Sequence, residues 1–170
     1  KKVYKKIMFF YKLSGYRMSA DEAYLIIRGL RTLDVRLDKH QENAKKVAAF
    51  LSKNKKVKLL YPYLKGSLNY KLWKKYYSGA NGLFSIVVKS KKKSSVVKFV
   101  NSLELFGIGY SWGGFESLVL LQDLRARTKY TEPRKYFRFA KDEHIVRLHI
   151  GLEDPKDLIE DLKQSLRYIK

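Results

Sequence analysis

Arg147 stands in the run Val146-Arg147-Leu148-His149-Ile150-Gly151. The alternation puts Val146, Leu148 and Ile150 on one face of a strand and Ile145, Arg147 and His149 on the other. One face can enter a core while the other presents a fixed cation. A guanidinium held on a strand can make two parallel hydrogen bonds to a carboxylate or a phosphate. The same pattern suits an arginine in a structural salt bridge, and periodicity does not separate the two. A second stretch with chemical potential is Phe106-Gly107-Ile108-Gly109-Tyr110-Ser111-Trp112-Gly113-Gly114-Phe115. Its glycines do not have the spacing of a dinucleotide-binding loop, and no helix start follows. It reads as a strand that turns sharply at Gly113-Gly114, where backbone can approach a ligand closely. Tyr110 and Trp112 share one face and Ser111 the other. The two aromatics fit either a core beside a tight turn or the wall of a binding site.

Other chemistries are narrowed by composition. Cysteine is absent, which excludes disulfides, thiolate metal sites and cysteine nucleophiles. The three histidines, His40, His144 and His149, lack the spacing of a helical metal pair, so no metal is expected. The formal net charge is +21. It is uneven: residues 1–100 hold 25 basic and 5 acidic side chains, and residues 101–170 hold 12 and 11. The excess is lysine spread over helices and turns, including Lys91-Lys92-Lys93, and not arginine interleaved with aromatics. A solvated basic surface is expected; a basic nucleic-acid-binding domain is the alternative. The apolar run Ile7-Met8-Phe9-Phe10-Tyr11 is too short for a signal peptide, and no segment reaches membrane-spanning length. A cytoplasmic chain without a membrane partner is expected.

The elements that must hold these residues follow from pattern. Ser19-Ala20-Asp21-Glu22 fits a capping box. Ala23, Ile26, Leu30, Leu33 and Leu37 then recur at helical spacing, continued with a phase shift by Ala44, Val47, Ala48 and Leu51. A helix over residues 20–52 would be about 50 Å long at about 1.5 Å per residue. Val57 to Tyr61 reads as a strand ended by Pro62, and residues 70–76 as a helical turn. Leu83 to Lys89 is a nearly continuous apolar strand expected inside a sheet. Residues 95–103 form a short amphipathic helix. Residues 119–144 carry no clear pattern. After Gly151, Asp154 and Pro155 open a helix as N-cap and first-turn residue, with Leu158, Ile159, Leu162, Leu166 and Ile169 on one face.

Three of these runs resemble the Cys/Met-metabolism family of pyridoxal-phosphate (PLP) enzymes. Arg28-Gly29-Leu30-Arg31-Thr32-Leu33, flanked by Asp21-Glu22-Ala23-Tyr24-Leu25 and Arg36, resembles the family's long helix between its cofactor and C-terminal domains. Tyr110-Ser111-Trp112-Gly113-Gly114-Phe115-Glu116-Ser117-Leu118 resembles the bacterial cystathionine β-lyase branch. Arg147-Leu148-His149-Ile150-Gly151-Leu152-Glu153-Asp154 resembles the family's last strand. The resemblance spans roughly residues 15–170.

It implies an α/β fold, the C-terminal domain of PLP fold type I. A mostly antiparallel sheet with helices on one face would follow a long linking helix. Residues 1–18 would be the end of a cofactor domain, 19–53 the linking helix and 54–170 the C-terminal domain. The resemblance implies that Arg147 binds the substrate α-carboxylate beside Ser111 and the backbone of Trp112, with Tyr110 lining the pocket. The substrate would be cystathionine or a similar amino acid, converted in the complete enzyme to homocysteine, pyruvate and ammonia. Family members are more than twice this length. Their PLP-binding lysine and the groups around the ring lie upstream of the long helix, so no catalytic or cofactor-binding residue is expected here. Thr128-Lys129-Tyr130 contains a Thr-Lys pair, but it lies downstream of the Ser-Trp-Gly-Gly turn and Lys129 reads as a surface lysine. The 170 residues would not bind PLP alone. They would need an N-terminal cofactor-domain piece, within a homo-oligomer built as a dimer of dimers, or else be a non-functional remnant.

Overall fold

The computed structural model describes residues 1–122 and 139–169. It divides into two packed units, Lys1–Arg36 and Leu37–Lys170. The first holds α1 (Lys2–Ser14), α2 (Ala20–Leu30) and the first turn of α3 (Leu33–Leu51). Gly15 closes α1 in the left-handed region, at φ 68°. The expected capping box opens α2: Ser19 Oγ accepts from the Glu22 amide at 3.1 Å, and Glu22 accepts from the Ser19 amide at 2.7 Å. Neither α1 nor α2 contains a buried residue. Ile7, Phe9, Phe10, Leu25, Ile26 and Leu30 are all exposed.

The helix expected over residues 20–52 is interrupted at Arg31-Thr32. The Gly29 carbonyl accepts from the Thr32 amide at 3.4 Å and from the Arg36 guanidinium at 2.6 Å. A side chain seven residues on thus holds an oxygen that an unbroken helix would give to the fourth residue along. Glycine, the most flexible backbone in the run, sits where the ladder changes hands.

The second unit is built on a five-stranded sheet. Its strands are β1 (Val57–Leu60), β2 (Leu83–Lys89), β3 (Gly107–Ile108), β4 (Leu118–Gln122) and β5 (Glu143–His149). The spatial order is β1-β2-β5-β4-β3. Three neighbouring pairs are antiparallel, and β3 runs parallel to β4. β5 is therefore central, with Phe84 opposite Leu148 on one side and Val119 opposite it on the other. One sheet face, carrying Phe84, Ile86, Val88, Val119, Val146 and Leu148, forms a single core with three helices. These are α3, α5 (Lys93–Asn101) and α6 (Pro155–Leu166), which contribute Ala44, Val47, Leu51, Phe99, Leu158 and Leu162. A short α4 (Tyr70–Tyr76) lies between β1 and β2 in the chain.

Two expectations change. β4 falls where no clear pattern was read, because four apolar residues in a row carry no period. The strand expected through residue 112 shrinks to β3, whose register with β4 covers Gly107 and Ile108 and ends with the Gly109 amide donating to the Val119 carbonyl at 3.3 Å. Tyr110 and Trp112, 66% and 64% exposed, are not core aromatics. Lys129 and its neighbours lie outside the described residues. Among the described residues no helix is long and apolar enough to cross a membrane.

α6 begins as its sequence demands. Asp154 accepts from the Lys156 amide at 2.8 Å, Pro155 fills the first turn, and Asp157 adds charge near the positive end. Asp154→Ala is expected to cost about 1 kcal/mol. Leu148→Ala, at the centre of the sheet, is expected to cost about 2–5 kcal/mol. Urea unfolding midpoints check both, and equal losses would show that Leu148 is not part of the core.

Candidate carboxylate-binding site

Arg147 is placed by the pleat of β5. Val146 and Leu148 point into the core, and Arg147 emerges on the opposite face between Ser85 of β2 and Leu120 of β4. Its Nη2 donates to the carbonyl of Tyr110 at 2.6 Å, and lies 3.2 Å and 3.4 Å from those of Gly109 and Ser111. The Trp112 ring centroid is 5.8 Å from the guanidinium carbon, a cation–π contact worth about 0.5–1 kcal/mol at such an exposed place. Among the described residues, Nε and Nη1 make no hydrogen bond and no carboxylate pairs with this arginine. The structural salt bridge considered from sequence is absent from that set. One nitrogen aims the group, and the donors on Nε and Nη1 have no partner among the described residues.

The structure thus brings Arg147, Tyr110, Ser111 and Trp112 together. Tyr110 and Ser111 take part through backbone carbonyls and Trp112 through its ring. Both aromatic side chains, with Ser111, are exposed on the rim.

A buried polar network behind the site was not read from the sequence. His149, 2% exposed, places Nε2 3.1 Å from the Gly114 carbonyl, and its Nδ1 faces the Gly113 amide at 3.5 Å. Burial pushes the His149 pKa below the ordinary histidine value, the bond to Gly114 opposes this, and His40 adds to it. His40 Nδ1 lies 2.7 Å from the Ile150 carbonyl. Asn43 donates to the carbonyls of Gly151 and Glu153 at 3.0 and 2.9 Å. Glu153 accepts from the Ser117 amide at 2.6 Å and hydroxyl at 2.8 Å, while Ser117 Oγ accepts from the Gly151 amide at 2.8 Å. The available signal was helical spacing: His40 and Asn43 lie on the stripe of Ala44, Val47 and Leu51, where a polar side chain must find a buried partner.

The set around Arg147 fits an anion. PLP chemistry needs an amine for the cofactor's aldehyde. The groups that contact Arg147 among the described residues are carbonyls and one aromatic ring, with no lysine amine. They do not fit the cofactor itself. Nor is any cluster of three or more His, Asp or Glu placed to hold a metal ion among these residues. Glu153→Gln is expected to cost about 1–3 kcal/mol, because an amide cannot accept from both Ser117 donors and its NH2 faces one of them. Urea denaturation measures that loss, and an unchanged midpoint would remove Glu153 from the framework.

Residues 1–167 match the family described as Cys/Met metabolism PLP-dependent enzyme. A cystathionine beta-lyase of Bordetella avium is 42% identical over 153 residues, 89% of this chain and 37% of the relative. An L-alanine/L-glutamate racemase of Wolbachia pipientis wMel is 38% identical over 166 residues, 96% of this chain and 40% of the relative. The crystal structure of a cystathionine gamma synthase from Xanthomonas oryzae pv. oryzae superposes with a TM-score of 0.79 at 30% identity. It covers 98% of this chain and 43% of that one. The chain therefore spans roughly two-fifths of the length of these relatives. The chain belongs to the Cys/Met-metabolism family of PLP-dependent enzymes.

Proposed function

We propose that these 170 residues form the substrate-carboxylate-binding part of a PLP-dependent carbon–sulfur β-lyase acting on cystathionine or a similar thioether amino acid. The observation that carries the reading is the state of Arg147. It is aimed through Nη2 by three backbone carbonyls, while Nε and Nη1 stay open among the described residues. An open, oriented guanidinium binds a carboxylate at little cost in ordering. Gripping the α-carboxylate fixes the rotation of the amino acid about its Cα, which decides which bond faces the reactive group. Trp112 and Tyr110 would wall the rim on the side-chain end. PLP, when bound elsewhere in the complete enzyme, supplies the electron sink that labilises bonds at Cα.

The β-lyase assignment rests on the run Tyr110-Ser111-Trp112-Gly113-Gly114 and on the Bordetella relative. The racemase among the relatives favours a second reading, in which the same grip serves proton exchange at Cα of alanine or glutamate. Both readings need an amine that holds PLP, and we place that group outside these residues.

The test is a chimera carrying this chain behind the remaining N-terminal part of the Bordetella enzyme. Homocysteine and pyruvate release from cystathionine, and D-alanine from L-alanine, are followed. Release of homocysteine supports the lyase; D-alanine alone supports the second reading. Arg147→Ala is expected to raise KM at least ~30-fold, the equivalent of about 2 kcal/mol from an unpaired carboxylate. A KM unmoved by that change sinks the carboxylate grip. The 170 residues with PLP alone are expected to turn over no cystathionine.

A further inference from the structure

His149 lies two residues beyond Arg147 on the same face of β5, yet the carboxylate grip does not use it. Its hydrogen bonds assign its tautomer. The Gly114 carbonyl can only accept, so Nε2 carries the proton; the Gly113 amide can only donate, so Nδ1 must be bare. Arg147 holds the carbonyls of residues 109–111, and His149 holds the backbone of residues 113 and 114. Trp112, between them, lies against the guanidinium. Two neighbouring side chains on one strand thus clamp consecutive parts of one exposed segment. Gly113, at φ 81°, supplies the left-handed turn that lets the segment bend into both.

We propose that His149 is a positioning residue: neutral, it closes the 109–114 segment over Arg147, and protonated, it releases it. A second proton on the ring turns Nδ1 into a donor aimed at the Gly113 N–H. One hydrogen bond is lost and two donors face each other. The charged and titratable groups that face this ring are His40 of α3, whose ring centroid is 5.2 Å away, Glu116 of the turn, and Glu153 of the segment leading into α6. His40 opposes charging and the two carboxylates favour it. Burial outweighs the carboxylates and holds the pKa below the ordinary value of 6.5. The folded state therefore binds its proton later than the unfolded chain does as pH falls. The closed segment is fully present above that value and is lost on acidification below it.

The consequence for carboxylate binding rests on the function proposed above; the consequence for the segment does not. The chain has two tryptophans, so Trp73→Phe leaves Trp112 as the single reporter. Its emission is titrated between neutral pH and the point where far-UV circular dichroism begins to change. A single transition with its midpoint below 6.5 is expected. His149→Gln keeps an N–H for Gly114 and cannot titrate, so the transition should vanish with the fold intact. His40→Gln should keep it and move it to higher pH. A transition that survives His149→Gln, disappears in His40→Gln, or is missing from the unaltered chain overturns the proposal. In the chimera, KM for cystathionine should rise about tenfold per pH unit below the same midpoint, the limit for one proton, and His149→Gln should flatten that profile. An inactive chimera would count against the proposed function while the emission titration still decides the role of His149.

Discussion

Where β5 ends, the chain leaves the sheet while still buried, and its peptide groups lose their ladder partners. An unpaired buried carbonyl or amide costs about 1–3 kcal/mol. Here side chains replace the missing strand. His40 takes the Ile150 carbonyl, Asn43 those of Gly151 and Glu153, and Ser117 the Gly151 amide. The Ile150 amide is still served by the Gly82 carbonyl at 2.8 Å. This replacement lets β5 stop at a defined register and turn into α6. It also fixes Arg147 and His149, because a strand whose end is held cannot slip without exchanging its two faces.

The electrostatics of the site follow from the same arrangement. Arg147 is half-buried and has no carboxylate partner among the described residues. Three carbonyl dipoles satisfy one of its nitrogens, and among the described residues the other two have no hydrogen-bond partner. The rear of the site shows the opposite economy. Asp161, buried in α6, accepts from the amides of Glu104 and Leu105 at 2.8–3.1 Å. Glu153 accepts from the amide and the hydroxyl of Ser117. Both carboxylates are engaged by the chain itself, through backbone amides, the Ser117 hydroxyl and the Gln164 side chain.

What could be read from the sequence was local. The Ser19-Glu22 capping box and the Asp154-Pro155 start of α6 declare themselves within four residues, and both appear as expected. The alternation around Arg147 was also sufficient to place it opposite the core. Other features depend on distance along the chain. The break at Arg31-Thr32 rests on Arg36 reaching the Gly29 carbonyl, which no helical pattern encodes. His40 and Asn43 find partners about 110 residues away, so their place on an apolar stripe signalled burial without naming a partner. β4 was hidden because its identity as a strand comes from β5 beside it. β3 ends early although β4 runs on to Gln122, because the carbonyls of residues 109–111 turn to the Arg147 guanidinium.

Gly82 and Gly151 flank the end of β5 and leave no room for a side chain. A methyl group on Gly82 would overlap the Ile150 carbonyl oxygen, and one on Gly151 would overlap the Phe115 carbonyl and the Glu153 carboxylate. A side chain cannot be added at either glycine without moving the backbone that ends β5. Side-chain exchange nearby falls instead to outward positions such as Phe115, whose ring is exposed while its carbonyl accepts from the Leu152 amide.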